Sequence, residues 1–148
     1  MTVRPGRPAD EPAVRTLQRL LREPSPTLRS HGLRTGDLLV DETADGVVVG
    51  YLLPVVGDGV HVAELVVHPD YRREGRATGL LRRLLAEADG RVTLLVAAGN
   101  DGAMRLYESL GFRPTALRPG FYDDGTDARL LARDPPSTDA ADQTDVER

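Results

Sequence analysis

The 148-residue sequence predicts one α/β domain over residues 1–133 and an acidic tail over 134–148 that is expected to be disordered. Three observations lead there. Apolar runs with strand character alternate with segments of helical apolar spacing, in the order β-α-loop-β-β-β-α-β-α-β-β. Two hairpin signals, Asp45–Gly46 and Gly57–Asp58–Gly59, join three consecutive runs, so that part of the sheet is expected to be antiparallel. Two further runs, 60–67 and 92–97, bracket a helix, and a right-handed crossover would make them parallel.

Each element has a local cause. Thr2–Arg4 can start a strand. Asp10 with Pro12 opens a helix that places Val14, Leu17, Leu20 and Leu21 on one face. Residues 22–37, rich in Pro, Ser and Gly, read as a loop with at most one helical turn. Leu38–Val40, Val47–Val56 and Val60–Val67 are the hairpin strands. The next helix carries Ala77, Leu81, Leu84, Leu85 and Ala88 at helical spacing and ends at Asp89–Gly90. Val92–Ala97 reads as a buried strand, Asn100 caps a helix over 101–110 that Gly111 stops, and Arg113–Leu117 and Ala128–Ala132 form a last pair. From Pro135 onward no apolar period remains.

Composition narrows the function classes. There is no Cys, hence no disulfide, thiolate nucleophile or zinc–cysteine site. No His pair has metal-ligand spacing, and no metal is expected. No run of 18 apolar residues exists to span a membrane, and the N-terminus lacks the apolar stretch of a secretory signal, so the expected setting is cytoplasmic. All 19 basic residues are Arg. The tail sets Asp134, Asp139, Asp142, Asp145 and Glu147 against Arg148, a net of −4 that equals the charge of the whole chain. The body is therefore neutral, which gives no support to nucleic acid as a partner. Nothing in the sequence reports the oligomeric state.

The chemistry concentrates in residues 66–88. A strand ends at His68–Pro69, and Arg72-Arg73-Glu74-Gly75-Arg76-Ala77 then reads R-x-x-G-x-A at the start of a helix. Gly75 frees the backbone, and the first-turn N–H groups of a helix have no internal partner and carry partial positive charge. A strand, a Gly turn and a helix entry flanked by three Arg suit a phosphate-like anion. A Walker loop is excluded by the absence of Gly-Lys-[Ser/Thr], and Gly75 and Gly79 lack dinucleotide-fingerprint spacing.

This segment resembles the coenzyme A pyrophosphate loop of the GNAT acetyltransferase superfamily, [Q/R]-x-x-G-x-[G/A]. Residues Asn100–Phe112 resemble the same family's N-x-x-A-x-x-L-Y-x-x-x-G-F segment at every defined position. The resemblance covers residues 1–133. It implies a GNAT fold: a central, mostly antiparallel mixed sheet with one splayed parallel pair and helices on both faces. It also implies acetyl-CoA as cosubstrate, held by Arg72, Arg73, Gly75, Arg76, Ala77 and Thr78 at the pyrophosphate. Backbone near Val66 and Val67 would pair with the pantetheine arm, and Asn100 would touch that arm. Tyr107 would protonate or hydrogen-bond the leaving thiolate, although Ala103, Leu106, Tyr107 and Leu110 share a helix face and a core role for the ring fits the spacing equally.

Phe121-Tyr122-Asp-Asp124-Gly125-Thr-Asp127-Ala128 resembles the Y-Y-x-D-G-x-D-A segment of protein N-terminal acetyltransferases, including those that modify ribosomal-protein alanine. In them the aromatic pair clamps a peptide, so the implied acceptor is a peptide or protein N-terminus, a ribosomal protein among the candidates. One position departs from the pattern. The Glu that such enzymes carry five residues before the motif Asn is Leu95 here. The base must be another group or water. Glu64 matches a strand Glu used by many GNAT enzymes, but a solvent-facing or ion-paired residue is an equal reading. An α-amino group with pKa ~8 costs about 1.4 kcal/mol to deprotonate at pH 7, against about 4.6 kcal/mol for Lys, which favours an α-amine acceptor. With no Cys to carry the acyl group, direct attack in a ternary complex is expected. A small-molecule amine acetyltransferase and a non-catalytic acyl-CoA-binding module are the alternatives.

Overall fold

A computed structural model describes residues 2–21 and 24–135. The tail expectation falls almost wholly outside them. The chain divides after Glu87 into two compact units.

The first unit is an antiparallel sheet in the order β1-β2-β3-β4, formed by β1 (Thr2–Pro5), β2 (Leu39–Glu42), β3 (Val48–Val56) and β4 (Val60–Val67). Three helices accompany it: α1 (Glu11–Gln18), α2 (Pro26–Thr35) and α3 (Arg76–Glu87). Its core gathers Val14 and Leu17 of α1, Leu33 of α2, Leu38, Val40 of β2, Tyr51 and Leu53 of β3 and Val66 of β4. The strands alternate as their sequence demands: on β4, Val62, Glu64 and Val66 are buried while their neighbours are half-buried. Arg83 of α3 donates to the Val3 carbonyl at 2.9 Å, fixing that helix to β1.

Three expectations need correction. The segment read as a loop with one turn holds, over its described residues 24–37, the ten-residue helix α2. Its signals are present in the sequence: the Ser25 hydroxyl accepts from the Leu28 N–H at 3.4 Å, Pro26 occupies the first turn, and Gly36 takes a left-handed φ of 79° after the end. The same Pro, Ser and Gly that suggest a loop are helix punctuation. Second, α1 stops at Gln18, which leaves Leu20 49% exposed rather than on a buried face. Third, α3 buries Leu80 as well as the expected Leu81 and Leu84, while Leu85 is only half-buried.

The second unit is an antiparallel sheet in the order β5-β7-β6, from β5 (Val92–Ala97), β6 (Arg113–Arg118) and β7 (Ala128–Arg133), with helix α4 (Asp101–Ser109) between β5 and β6. Val92, Leu94 and Val96 bury one face of β5, and Phe112, Ala128, Leu131 and Ala132 are buried too. All six residues of β6 are exposed, and its pairing with β7 is interrupted by an irregularity between Pro114 and Ala116. Among the described residues no helix is long and apolar enough to cross a membrane.

Candidate active site

In the first unit β4 delivers Val66 and Val67 to a 3-10 turn, Pro69–Tyr71, whose entry is fixed by the His68 imidazole: Nδ1 accepts from the Asp70 N–H at 3.1 Å. The expected anion turn follows. Arg73 has φ 65° and Gly75 φ 79°, so two left-handed residues fall within three positions. A non-Gly residue there costs about 1–3 kcal/mol, and such strain gathers at ligand sites. Alternation of backbone handedness turns successive N–H groups to one side, the geometry of an anion-binding concavity. A Cβ built on Gly75 would meet nothing within 4 Å, so Gly is needed there for its φ and not for space. Helix α3 then begins at Arg76 and presents its first-turn N–H groups.

The three Arg side chains of the turn are not equivalent. Arg73 is exposed. Arg72 is exposed too, and its Nε donates to the Val67 carbonyl at 3.0 Å, folding the side chain back over the end of β4. Arg76 is only 10% exposed; its Nη1 reaches the Asp41 carboxylate at 3.1 Å, its Nε the Glu74 carboxylate at 2.9 Å, and its guanidinium lies 5.4 Å from the centre of the Tyr71 ring. Ala77 and Thr78 are half-buried.

Glu64 is not solvent-facing, and among the described residues no cation pairs with it directly. It is 6% exposed, and its carboxylate accepts from Gln18 Nε2 at 2.9 Å, Tyr51 Oη at 2.8 Å and the Ser25 N–H at 2.8 Å. Gln18 also donates to the Ser25 carbonyl at 3.1 Å and accepts from Arg29 Nη1 at 2.6 Å. One carboxylate thus ties β4 to β3, α1 and the cap of α2. Burial, and then the neighbouring Glu64 charge, push the Tyr51 hydroxyl above the ordinary phenol range, so it remains the donor. A carboxylate offers about four lone-pair directions, and the described residues take three of them.

In the second unit Asn100 caps α4: its side-chain oxygen accepts from the Ala103 N–H at 3.2 Å. It also lines a hollow of about 190 Å³ with Ala97, Ala98, Gly99, Asp101, Met104 and Arg129. About two helical turns after Asn100, Tyr107 packs edge-on against Phe112 with ring centres 6.2 Å apart. Burial first, and then the nearby Tyr122, raise its pKa above the ordinary phenol value, so Tyr107 stays protonated and can donate across the range where amines react. The loop before β7 is held by short bonds: Tyr122 N–H to the Thr126 carbonyl at 3.0 Å, Gly125 N–H to the Tyr122 carbonyl at 2.8 Å, and Gly120 N–H to Asp127 Oδ1 at 2.8 Å. On it Phe121 and Tyr122 meet edge-to-face at 5.1 Å, and Phe121 is 44% exposed. Leu95, at the position of the missing Glu, is half-buried and pairs across the strands with Leu130.

Each unit therefore gathers part of the expected constellation. The first brings the turn 72–78 to the end of β4; the second carries Tyr107 on α4 and Tyr122 on the loop before β7, near enough for Tyr122 to help raise the Tyr107 pKa. Sequence reading did not reach Gln18, Tyr51 or Asp41. Asp41 directly follows the apolar run Leu38–Val40 but stands beside Glu42, and nothing local tells the buried carboxylate from its half-buried neighbour. No motif marked the other two.

A family model described as the acetyltransferase (GNAT) family matches residues 9–112. The chain belongs to the GNAT acetyltransferase family. It is accordingly an N-acetyltransferase that uses acetyl-CoA as acetyl donor. An N-alpha-acetyltransferase of Saccharolobus solfataricus is 32% identical to this GNAT chain over 124 residues, 72% of either protein. The ribosomal protein bS18 alanine N-acetyltransferase of Escherichia coli is 38% identical over 85 residues, 53% of this chain and 57% of that enzyme. The crystal structure of the E. coli ribosomal-protein-S18-alanine enzyme superposes with a TM-score of 0.76 at 26% identity, covering 93% of this chain and 95% of its own. Ard1 of Thermoplasma volcanium gives 0.78 at 26% identity over 92% and 98%. The GNAT fold expected from the sequence is the fold of this chain.

Proposed function

We propose that this enzyme acetylates the α-amino group of peptide or protein N-termini, in a cytoplasmic setting, with residues 1–133 as one catalytic domain. N-termini of ribosomal proteins belong to the acceptor class, since the E. coli relative acts on one by its name. The observation that carries the reading is the loop of Phe121 and Tyr122: a rigidly bonded turn that offers an exposed ring, with Tyr122 close enough to Tyr107 to raise its pKa. An aromatic clamp beside the proton donor is what delivery of a chain end to a thioester requires.

In this reading the turn 72–78 holds the pyrophosphate and the backbone of Val66 and Val67 pairs with the pantetheine arm. Asn100 adds a contact to that arm while it caps α4. The amine nitrogen forms a bond to the acetyl carbonyl carbon, the carbon–sulfur bond breaks, and the sulfur leaves as thiolate under a hydrogen bond from the Tyr107 hydroxyl. The proton displaced from nitrogen passes to water. An earlier proton must leave the ammonium form to give the attacking amine, which costs about 1.4 kcal/mol for an α-amine at pH 7, a step that water and buffer can meet.

Glu64 is assigned a positioning part. Three donors occupy its carboxylate, and the residue holds α1 and α2 in place on the sheet. Glu64→Gln is therefore expected to lower turnover by a similar factor from about pH 7 to about pH 9, because its effect is on geometry. A deficit that shrinks as the amine deprotonates would restore Glu64 as the base.

The acceptor is tested with one peptide that has a small first residue, a free N-terminus and an internal Lys, beside its N-terminally blocked twin. Acetylation is expected on the first residue of the free peptide alone. Tyr122→Ala is expected to raise the peptide KM while acetyl-CoA binding stays unchanged. Equal reaction of the blocked peptide on Lys, or acetylation of small amines only, would leave the enzyme a GNAT acetyltransferase with a different acceptor.

A further inference from the structure

Its place among the three Arg of the turn makes Arg76 a candidate anion ligand, but its surroundings point elsewhere. Asp41 is 0% exposed, on a strand of the sheet, and one of its oxygens sits 3.1 Å from Arg76 Nη1. Its other oxygen, Oδ1, is buried and has no hydrogen-bond partner among the described residues. The pairing of β2 with β3 shifts register between Asp41 and Glu42, next to this carboxylate. A buried carboxylate satisfied on one side only is a poor way to stabilise a fold, since a buried unpaired acceptor costs about 1–3 kcal/mol and apolar residues could fill the space. What the pair does accomplish is mechanical. It joins the interior of the sheet to the first residue of α3, directly after the two left-handed residues of the turn. Glu74 takes the guanidinium from the other side, within the turn itself, and Tyr71 covers its face.

We propose that Asp41 and Arg76 are positioning residues for acetyl-CoA: the buried pair clamps the start of α3 so that the backbone N–H groups of the turn, with Arg72 and Arg73, face the pyrophosphate. The Arg76 guanidinium spends its charge on Asp41 and Glu74 and makes no direct contact with the cosubstrate, to which the residue offers only its backbone N–H. The proposal rests on the assignment of the turn 72–78 as the pyrophosphate site.

Calorimetric titration of acetyl-CoA separates the possibilities, with acceptor KM measured alongside. Asp41→Asn and Arg76→Gln are each expected to weaken acetyl-CoA binding about tenfold or more, as misplacement of a binding element does. The double variant should be no worse than either, because both break the same clamp. Acceptor KM should not move. If Arg76 instead touched the anion, Arg76→Gln would weaken binding, Asp41→Asn would leave it equal or tighter, and the two effects would add; that result overturns the proposal. Either single variant leaves a buried group uncompensated and could unfold, so Asp41→Leu with Arg76→Met provides a second route. An apolar pair of similar bulk restores the clamp without charge and is expected to keep acetyl-CoA affinity within about threefold of the parent. A folded apolar pair that has lost acetyl-CoA binding also overturns the clamp. Failure of Gly75→Asp to affect binding would instead displace the site, and with it the assignment on which the clamp depends.

Discussion

Tyr107→Phe is expected to lower turnover about 10–1000-fold, as loss of one transition-state donor or acid does, while acetyl-CoA affinity stays close to the parent's. The substitution keeps the ring and hence its edge-on contact with Phe112, so packing in the second unit is preserved. Only the hydroxyl goes. A phenol with its pKa raised by burial is a weak acid, and full transfer to a departing thiolate is uphill. Its value lies in a hydrogen bond that strengthens as negative charge collects on sulfur, which places the loss in kcat and not in ground-state binding. The raised pKa also fixes a sign. Tyr107 remains protonated to higher pH than a free phenol, so no activity loss attributable to its ionisation should begin below about pH 10. Unchanged turnover of the Phe variant, measured where chemistry limits the rate, would return Tyr107 to a packing role.

Gly75→Asp is expected to weaken acetyl-CoA binding about 100-fold. The φ of 79° costs a side chain about 1–2 kcal/mol. A carboxylate roughly 4 Å from a phosphate adds about 1–4 kcal/mol of repulsion between water-like and surface dielectric. At 1.4 kcal/mol per factor of ten, these together reach two decades. Gly75→Ala separates the contributions. Nothing obstructs a Cβ at that position, so Ala incurs only the backbone term and should lose about tenfold. Equal affinity of the parent and the Asp variant would move the pyrophosphate site away from this turn.

Local periodicity carried most of the architecture. The β4–turn–α3 passage and the α4 motif were legible because both the fold and the chemistry are written in consecutive residues. The fate of Glu64 was only half legible: a period of two puts it on the face of Val62 and Val66, but Ala63, Leu65 and Val67 make the other face apolar as well, so packing and not spacing decided that the Glu64 face is the buried one. Helix α2 was missed because Ser25, Pro26 and Gly36 were weighed as loop composition when their positions are those of a cap, a first turn and a stop. The partners of Arg76 and Glu64 were beyond sequence reasoning for another reason. Asp41 lies 35 positions before Arg76, and Gln18 lies 46 before Glu64. Such pairs exist only once sheet register and helix placement are set. What the chain reveals locally is where groups could act; which cations are already spoken for is a property of the packed sheet.

The exposed strand β6 bears on how this protein survives at high concentration. An outer strand with unpaired amides and carbonyls is a template on which another chain can nucleate a cross-β stack. Here Pro114 removes one amide from that template, the break in pairing between Pro114 and Ala116 bends it, and Arg113 and Arg118 place a fixed cation at either end. These three residues and the pairing irregularity act as gatekeepers around the exposed Leu117. Engineering that smooths the strand, by replacing Pro114 with Val or neutralising both Arg, would trade a solubility safeguard for strand propensity. The damage would register as aggregation during expression or storage, with the kinetics of the surviving soluble enzyme unchanged.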